Sequence, residues 1–254
     1  MKISINCPSY KRPKVRTLEY LPFCKVWVSE EELPEYQRQN PGASFGVLSR
    51  QGNVSIARNE ILRQEFEAGA DVVCIVDDDI KALYRFDAAA GSAFGYEKKK
   101  LQTEDFEEFI YNGTVMARDF GAFLWGVNLN KDSLCYKHSR PLSTAAIILG
   151  PFSCHLRGTE CFYDERIPLK EDYDMALQHL NRYRKILRLN MYHYDCKQSE
   201  QAGGCAAIRN YKMEKQQFDL LQKKWGSDIV RIDTSSKKER MDYNPIIRVP
   251  IPGV

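Results

Sequence analysis

Three consecutive carboxylates, Asp77, Asp78 and Asp79, follow directly on the apolar run Val72-Val73-Cys74-Ile75-Val76. An unpaired charge inside a protein is costly, so the chain must reach the surface at Asp77. The run before it is short and β-branched, as suits a strand buried on both faces of a parallel sheet. In open α/β sheets, ligands bind at the carboxyl edge of such strands. Carboxylates crowded there repel one another unless a cation lies among them. Oxygen-only ligands select a hard ion, Mg²⁺ or Mn²⁺, shared with substrate phosphates. The plain alternative is a solvated acidic turn.

Other residues have chemistry to offer. Lys170-Glu171-Asp172 opens a helix whose inward stripe is Tyr173, Ala176, Leu177 and Leu180. Acidic residues in a first turn complement the helix dipole; one of them is equally a general base aimed from a helix start into a cleft. The helix pattern does not choose. His193 stands at the exit of a strand beside a glycine-bearing loop, placed to close a metal site or to serve the structure. Arg58 and Asn59 sit early on a helix, where the arginine suits a diphosphate and the asparagine a base or the metal carboxylates. A surface ion pair explains Arg58 as well. Pro8-Ser9-Tyr10-Lys11-Arg12-Pro13 forms a loop able to hold a base, ribose or phosphate, or simply a basic turn. Cys154, His155 and Cys161 match no usual zinc spacing.

The elements that position these residues read as an α/β fold, with a mostly parallel central sheet flanked by helices. Strands are expected over residues 2–7, 23–28, 45–48, 71–76, 120–128, 143–149 and 183–191. Ser29 reads as a helix N-cap before Glu30-Glu31-Glu32. A helix over residues 54–69 carries Ile56, Ile61, Leu62 and Phe66 and stops at Gly69. It makes a β-α-β unit whose crossover should be right-handed. Residues 88–100 suggest a mobile connection or hairpin. Thr103 is a candidate cap for the next helix. A last helix, 211–225, puts Phe218, Leu220, Leu221 and Trp225 inward, with Lys212, Lys215, Lys223 and Lys224 on the other side. Residues 235–254 are polar, basic and proline-rich, and read as irregular surface chain.

Composition sets wide bounds. The 254 residues, 43% hydrophobic and 28% charged, suit one soluble domain with at most a small appendage. No segment approaches the length of a membrane span, and the amino-terminal residues have no apolar signal core. The eight cysteines include no CxxC pair, as expected of reduced thiols in the cytoplasm. A net charge of +3 permits an anionic partner without demanding one.

In their order, these motifs resemble the GT-A glycosyltransferases. The opening strand runs into the Pro8–Pro13 loop, and a helix carries Ala57-Arg58-Asn59. Asp77-Asp78-Asp79 matches the DxD element, Lys170-Glu171-Asp172 the xED element, and His193 the later metal-binding histidine. The likeness spans residues 1 to about 200. Around IVDDDI and KEDYDMALQHL the chain is most similar to the TET/JBP-associated glycosyltransferases, small phage enzymes that glycosylate hydroxymethylated pyrimidines in DNA.

The resemblance implies a GT-A domain over residues 1–205. A carboxyl-terminal helix and irregular basic extension, residues 206–254, would pack on that same domain. It implies a nucleoside diphosphate sugar donor, UDP-glucose or similar, contacted by Pro8, Ser9, Tyr10, Arg12, Arg58, Asn59, Asp77 and Asp78. Mn²⁺ or Mg²⁺ would be held by Asp77, Asp79 and His193. Asp172 would be the base of an inverting transfer, with Glu171 orienting acceptor or sugar; a retaining transfer would use Asp172 to bind the sugar. The implied acceptor is 5-hydroxymethylcytosine or a relative in DNA, flipped from the duplex or single-stranded. Lys98, Lys99 and Lys100 with Tyr96, and Lys212, Lys215, Lys223 and Lys224, would then meet phosphates and bases. Three other readings compete. A nucleotidyltransferase would carry a glycine-rich loop where PSYKRP stands. A GT-A enzyme can act on a saccharide or protein. A non-catalytic DNA-binding module can keep such a fold.

Overall fold

The apolar run Val72–Val76 forms β4, and each of its five residues is fully buried. In the computed structural model, which describes residues 1–50, 52–88, 95–196, 210–232 and 243–250, β4 lies near the middle of a ten-stranded sheet. In chain order the elements are β1 (Ile3–Pro8), β2 (Lys25–Ser29), α1 (Leu33–Gln39), β3 (Ser44–Leu48), α2 (Val54–Glu67), β4, β5 (Ile80–Ala88), β6 (Tyr96–Lys100), α3 (Phe106–Phe120) and β7 (Leu124–Asn128). They continue with β8 (Leu142–Ser143), β9 (Phe152–Leu156), α4 (Glu171–Tyr183), β10 (Leu187–Cys196), α5 (Tyr211–Trp225), β11 (Val230–Ile232) and β12 (Pro245–Ile247). The sheet order is β3-β2-β1-β4-β9-β7-β10-β5-β6, with β8 beside β10.

The first four strands in this order are parallel, β9 is antiparallel to both neighbours, and β10 returns parallel to β7. The fold is thus α/β, with a central mostly parallel sheet and helices against it. From β1 the chain passes to β2 on one side, whereas β4 lies on the other. A crevice opens at such a reversal outside the carboxyl ends of the two strands. Here those ends are Pro8 and Val76.

Two cores cover the sheet. One gathers Val26, Cys74, Val76, Trp125 and Phe152 with Phe106, Phe109 and Ile110 of α3. The other gathers Val73 and Ile75 with Ile61 and Leu62 of α2 and Met175, Ala176 and Leu180 of α4. Asn53 caps α2, its side chain accepting from the Ser55 and Ile56 amides.

Several expected boundaries differ. Ser29 ends β2, and α1 starts only at Leu33. Thr103 gives its hydroxyl to the Tyr20 carbonyl instead of capping α3. The expected strand 143–149 shrinks to β8, because the Ser143 hydroxyl accepts from the Ala145 and Ala146 amides and turns the chain. The strand at this position is β9, entirely buried against β4. Residues 80–88 are a strand paired with β6, so the expected hairpin starts directly after the aspartates; residues 89–94 lie outside the described residues. In the tail, residues 243–250 are not all irregular, since β12 pairs with β11. The glycine-bearing loop after Cys196 also lies outside the described residues.

Helix α5 grips α4. Asp174, fully buried, accepts from Trp225 Nε1 at 2.7 Å, from Lys224 Nζ at 2.9 Å and from Gln178 Nε2 at 2.7 Å. Lys170, at the start of α4, reaches Glu214 of α5. Phe218, Leu221, Val230 and Tyr243 pack on Leu177. Asp174→Ala leaves the Trp225 N–H without its acceptor and Lys224 with Asp164 as its one remaining carboxylate among the described residues. It is expected to lower the unfolding free energy by about 2–4 kcal/mol in urea titrations; a loss under about 0.5 kcal/mol would show that the clamp does not hold α4.

Candidate active site

The three aspartates leave β4 as a turn whose backbone is fastened on two sides. The Thr17 hydroxyl donates to the Asp77 carbonyl at 2.6 Å and accepts from the Ile80 amide at 3.0 Å. The Asp77 amide donates to the Pro151 carbonyl at 3.0 Å. Held in this way, the side chains diverge. Asp78 turns inward toward the loop after β1, accepting from Ser9 Oγ at 2.6 Å and from Arg12 Nη1 at 2.8 Å. Tyr36 braces the same loop, its hydroxyl 2.9 Å from Ser9 Oγ and accepting from the Arg12 amide at 3.0 Å. Asp78 therefore ties the carboxyl ends of β1 and β4 across the crevice. Pro8 closes β1 and Tyr10 is exposed at the rim.

Asp77 turns the other way, to Arg58. This arginine is 2% exposed. Its Nη2 donates to Asp77 Oδ1 at 2.9 Å and to the Gly150 carbonyl at 3.1 Å, and its Nη1 to Glu171 Oε1 at 3.0 Å. The guanidinium carbon lies 5.6 Å from the centre of the Tyr163 ring. A Cβ at Gly150 would stand 3.3 and 3.4 Å from the guanidinium nitrogens, a tight contact to which the arginine would have to yield by a few tenths of an ångström. The Gly150 amide also donates to Asp172 Oδ2 at 3.1 Å, and the Tyr173 amide donates to Asp172 Oδ1 at 2.8 Å. The start of α4 thus delivers one carboxylate into the arginine cluster and holds the next by backbone amides.

Electrostatics follow from burial. Desolvation, and then the charge of Asp172, push Glu171 upward, while Arg58 pulls the other way. Asp172 is also raised, by burial, against the pull of the Gly150 and Tyr173 amides. Asp79 is 6% exposed, and no side chain among the described residues is hydrogen-bonded or ion-paired to it. Burial, then the charges of Asp77 and Asp78, raise it to about 7.

The chemistry of Asp77 and Asp79, two carboxylates at the end of one strand, suits a hard divalent cation shared with a substrate's phosphates. No described side chain is hydrogen-bonded or ion-paired to the buried Asp79, although the charge of Arg12 lowers it, and such ions are often held by one or two carboxylates plus the substrate's phosphates. No group of three or more His, Cys, Asp or Glu side chains among the described residues stands close enough together to hold a metal ion.

Two expected site residues stand elsewhere. His193 is packed between Tyr84, 5.4 Å away by ring centres, and Phe86, 4.7 Å away; its charged surroundings are Lys98, Asp195 and Lys131. It is not brought to the aspartates, because strand alternation turns it to the hairpin side of β10. Asn59 spends its amide on the backbone of Tyr163, accepting at 2.8 Å and donating at 2.9 Å. It fastens the loop before α4 and does not face the carboxylates. Thr17 and Gly150 carried no chemical signal in the sequence; a glycine-proline pair marked only a turn.

No family model matches the chain, and no curated protein matches it. Solved structures do resemble it. A putative nucleotide-diphospho-sugar transferase from Desulfovibrio desulfuricans is 12% identical, with a TM-score of 0.45 over 75% of this chain and 80% of its own. A mannose-1-phosphate geranyltransferase from Thermus thermophilus is 9% identical, with a TM-score of 0.44 over 77% and 76%. A CMP:2-keto-3-deoxy-manno-octonic acid synthetase complexed with CTP is 11% identical, with a TM-score of 0.44 over 88% and 100%. Likeness at this level does not separate one activity from another.

The raised Asp79 has a measurable consequence. Its folded value of about 7 lies above the unfolded value of about 3.9. The folded chain therefore keeps a proton that the unfolded chain releases, and stability falls as pH rises between the two values. Asp79→Asn, measured in EDTA, is expected to raise Tm at pH 8, with the gain shrinking at pH 5. A Tm difference that does not change with pH would show that Asp79 ionises freely.

Proposed function

We propose that this chain transfers a glycosyl group from a nucleoside diphosphate sugar, probed most simply as UDP-glucose, to a hydroxyl acceptor. The observation that carries this reading is the convergence of Asp77, Asp79, Arg58, Glu171 and Asp172 at the carboxyl end of β4, beside the loop after β1. A nucleotide held by that loop would direct its diphosphate toward Asp77 and Asp79. Mn²⁺ or Mg²⁺ held by Asp77 and Asp79 would neutralise charge gathering on the diphosphate as the glycosidic bond breaks.

The chain's own residues do the rest. Arg58 holds Asp77 and Glu171 in fixed geometry, so the site needs little reorganisation during reaction. Asp172, held by two amides and raised by burial, is a better proton acceptor than a solvated carboxylate. In an inverting transfer it takes the acceptor hydroxyl's proton as the new bond forms. In a retaining transfer it binds the sugar instead, and the anomeric configuration of the product distinguishes the two.

The acceptor we favour is a hydroxymethylated pyrimidine in DNA. Support comes from Lys98, Lys99 and Lys100, exposed on β6 at the sheet edge beside Tyr96. Lys212 and Lys223 are exposed on α5. Lys99 is partly neutralised by Asp87 and Glu97, Lys215 pairs with Asp219, and Lys224 is engaged by Asp164 and Asp174. The β6 edge is therefore the main candidate for phosphate contact.

Mn²⁺ and UDP together are expected to raise Tm more than either alone, an effect lost in Asp77→Ala plus Asp79→Ala. Indifference of the wild-type chain to both would sink the nucleotide-sugar reading. Incubation with UDP-glucose and DNA containing 5-hydroxymethylcytosine, read by nucleoside mass spectrometry, tests the acceptor; hexose on a saccharide or protein but on no nucleoside would move the acceptor class. Asp172→Asn should keep the Tm response and lose about 10²–10⁴-fold in rate if the transfer inverts.

A further inference from the structure

Strand β10 offers the site a different residue from the one its sequence suggests. Successive residues of a strand face opposite sides. His193 lies opposite Tyr84 and Tyr194 opposite Leu83. His193 turns into the aromatic stack with Tyr84 and Phe86. Tyr194 therefore turns the other way, where Asp77 and Asp172 are among the charges that act on it, with Tyr173 and Cys196. The residue is 2% exposed, and its hydroxyl has no hydrogen-bond partner among the described residues. Buried hydroxyls in folded proteins are nearly always paired, so an orphan within the electrostatic reach of Asp77 and Asp172 is open to a partner from outside the chain.

We propose that Tyr194 is the residue through which β10 takes part in binding, its O–H donating a hydrogen bond to a hydroxyl oxygen of the sugar carried between Asp77 and Asp172. This rests on the nucleotide-sugar reading above. In that reading Asp77 marks the diphosphate end of the donor and Asp172 the point of attack, so the transferred sugar lies between them. The contact belongs to the sugar alone, and a nucleoside diphosphate without a sugar does not use it.

The test is calorimetric titration of the full-length chain with UDP, UDP-glucose, UDP-galactose and UDP-N-acetylglucosamine in the presence of Mn²⁺. Tyr194→Phe, which removes only the orphan oxygen, is expected to weaken the tightest UDP-sugar about three- to tenfold and to leave UDP unchanged. Its Tm without ligand should not fall. His193→Phe, which keeps a ring in the aromatic stack, should weaken neither ligand. Equal affinity of Tyr194→Phe and wild type for every UDP-sugar, or equal loss for UDP and UDP-sugar, overturns the role of Tyr194 and leaves the underlying reading standing. A clear fall in the unliganded Tm of Tyr194→Phe would give the hydroxyl a structural partner within the chain and also overturn it. A wild-type chain that binds none of the four compounds overturns the nucleotide-sugar reading and this proposal with it.

Discussion

A guanidinium buried where water cannot solvate it organises this molecule. Arginine stays charged at any working pH, so it enters an interior only where carboxylates and carbonyls surround it. Asp77, Glu171 and Gly150 surround Arg58, and they come from three separate parts of the chain. The end of β4, the turn before β9 and the start of α4 are thus gathered around one cation. Asp172 inherits its place from this arrangement. It follows Glu171 in the helix and is anchored by the amide of the same glycine whose carbonyl binds the arginine.

The same cluster explains an imbalance of charge. Arg58 and Arg12 compensate Asp77, Glu171 and Asp78, and no side chain among the described residues is paired with Asp79. Burial and repulsion from its neighbours leave that carboxyl protonated over part of the neutral range. A divalent ion that brings a diphosphate with it would relieve the repulsion and extend the site toward the loop after β1. Binding and electrostatic relief would then be one event.

Much of this was legible in the sequence, and the failures have physical causes. The β4 run, the helix carrying Arg58 and the helix opening at Glu171 announce themselves by apolar periodicity and by charges that cannot be buried unpaired. The residues that converge are largely those read as candidates. β9 was missed because FSCHL is short and polar-laced, while STAAIIL looks more strand-like; a single serine hydroxyl that binds two amides decides between them. His193 illustrates a different limit. Its strand breaks register between Leu189 and His193 and again between Asp195 and Cys196, and each break can reverse which residues face the cleft. No pattern of residue types reports such a slip. Asn59 shows a third limit: adjacency to Arg58 suggested a shared role, but neighbouring residues on a helix point about 100° apart.

The grip of α5 on Asp174 ties the tail to the site. The sheet is complete at Cys196, and the strands on both sides of β4 are in place without any later residue. Yet the helix that presents Glu171 and Asp172 is held along its outer side by Lys224 and Trp225. Residues beyond the last strand of the main sheet thus fix the helix that presents those two carboxylates. A tail that reads as an accessory is part of the machine's frame.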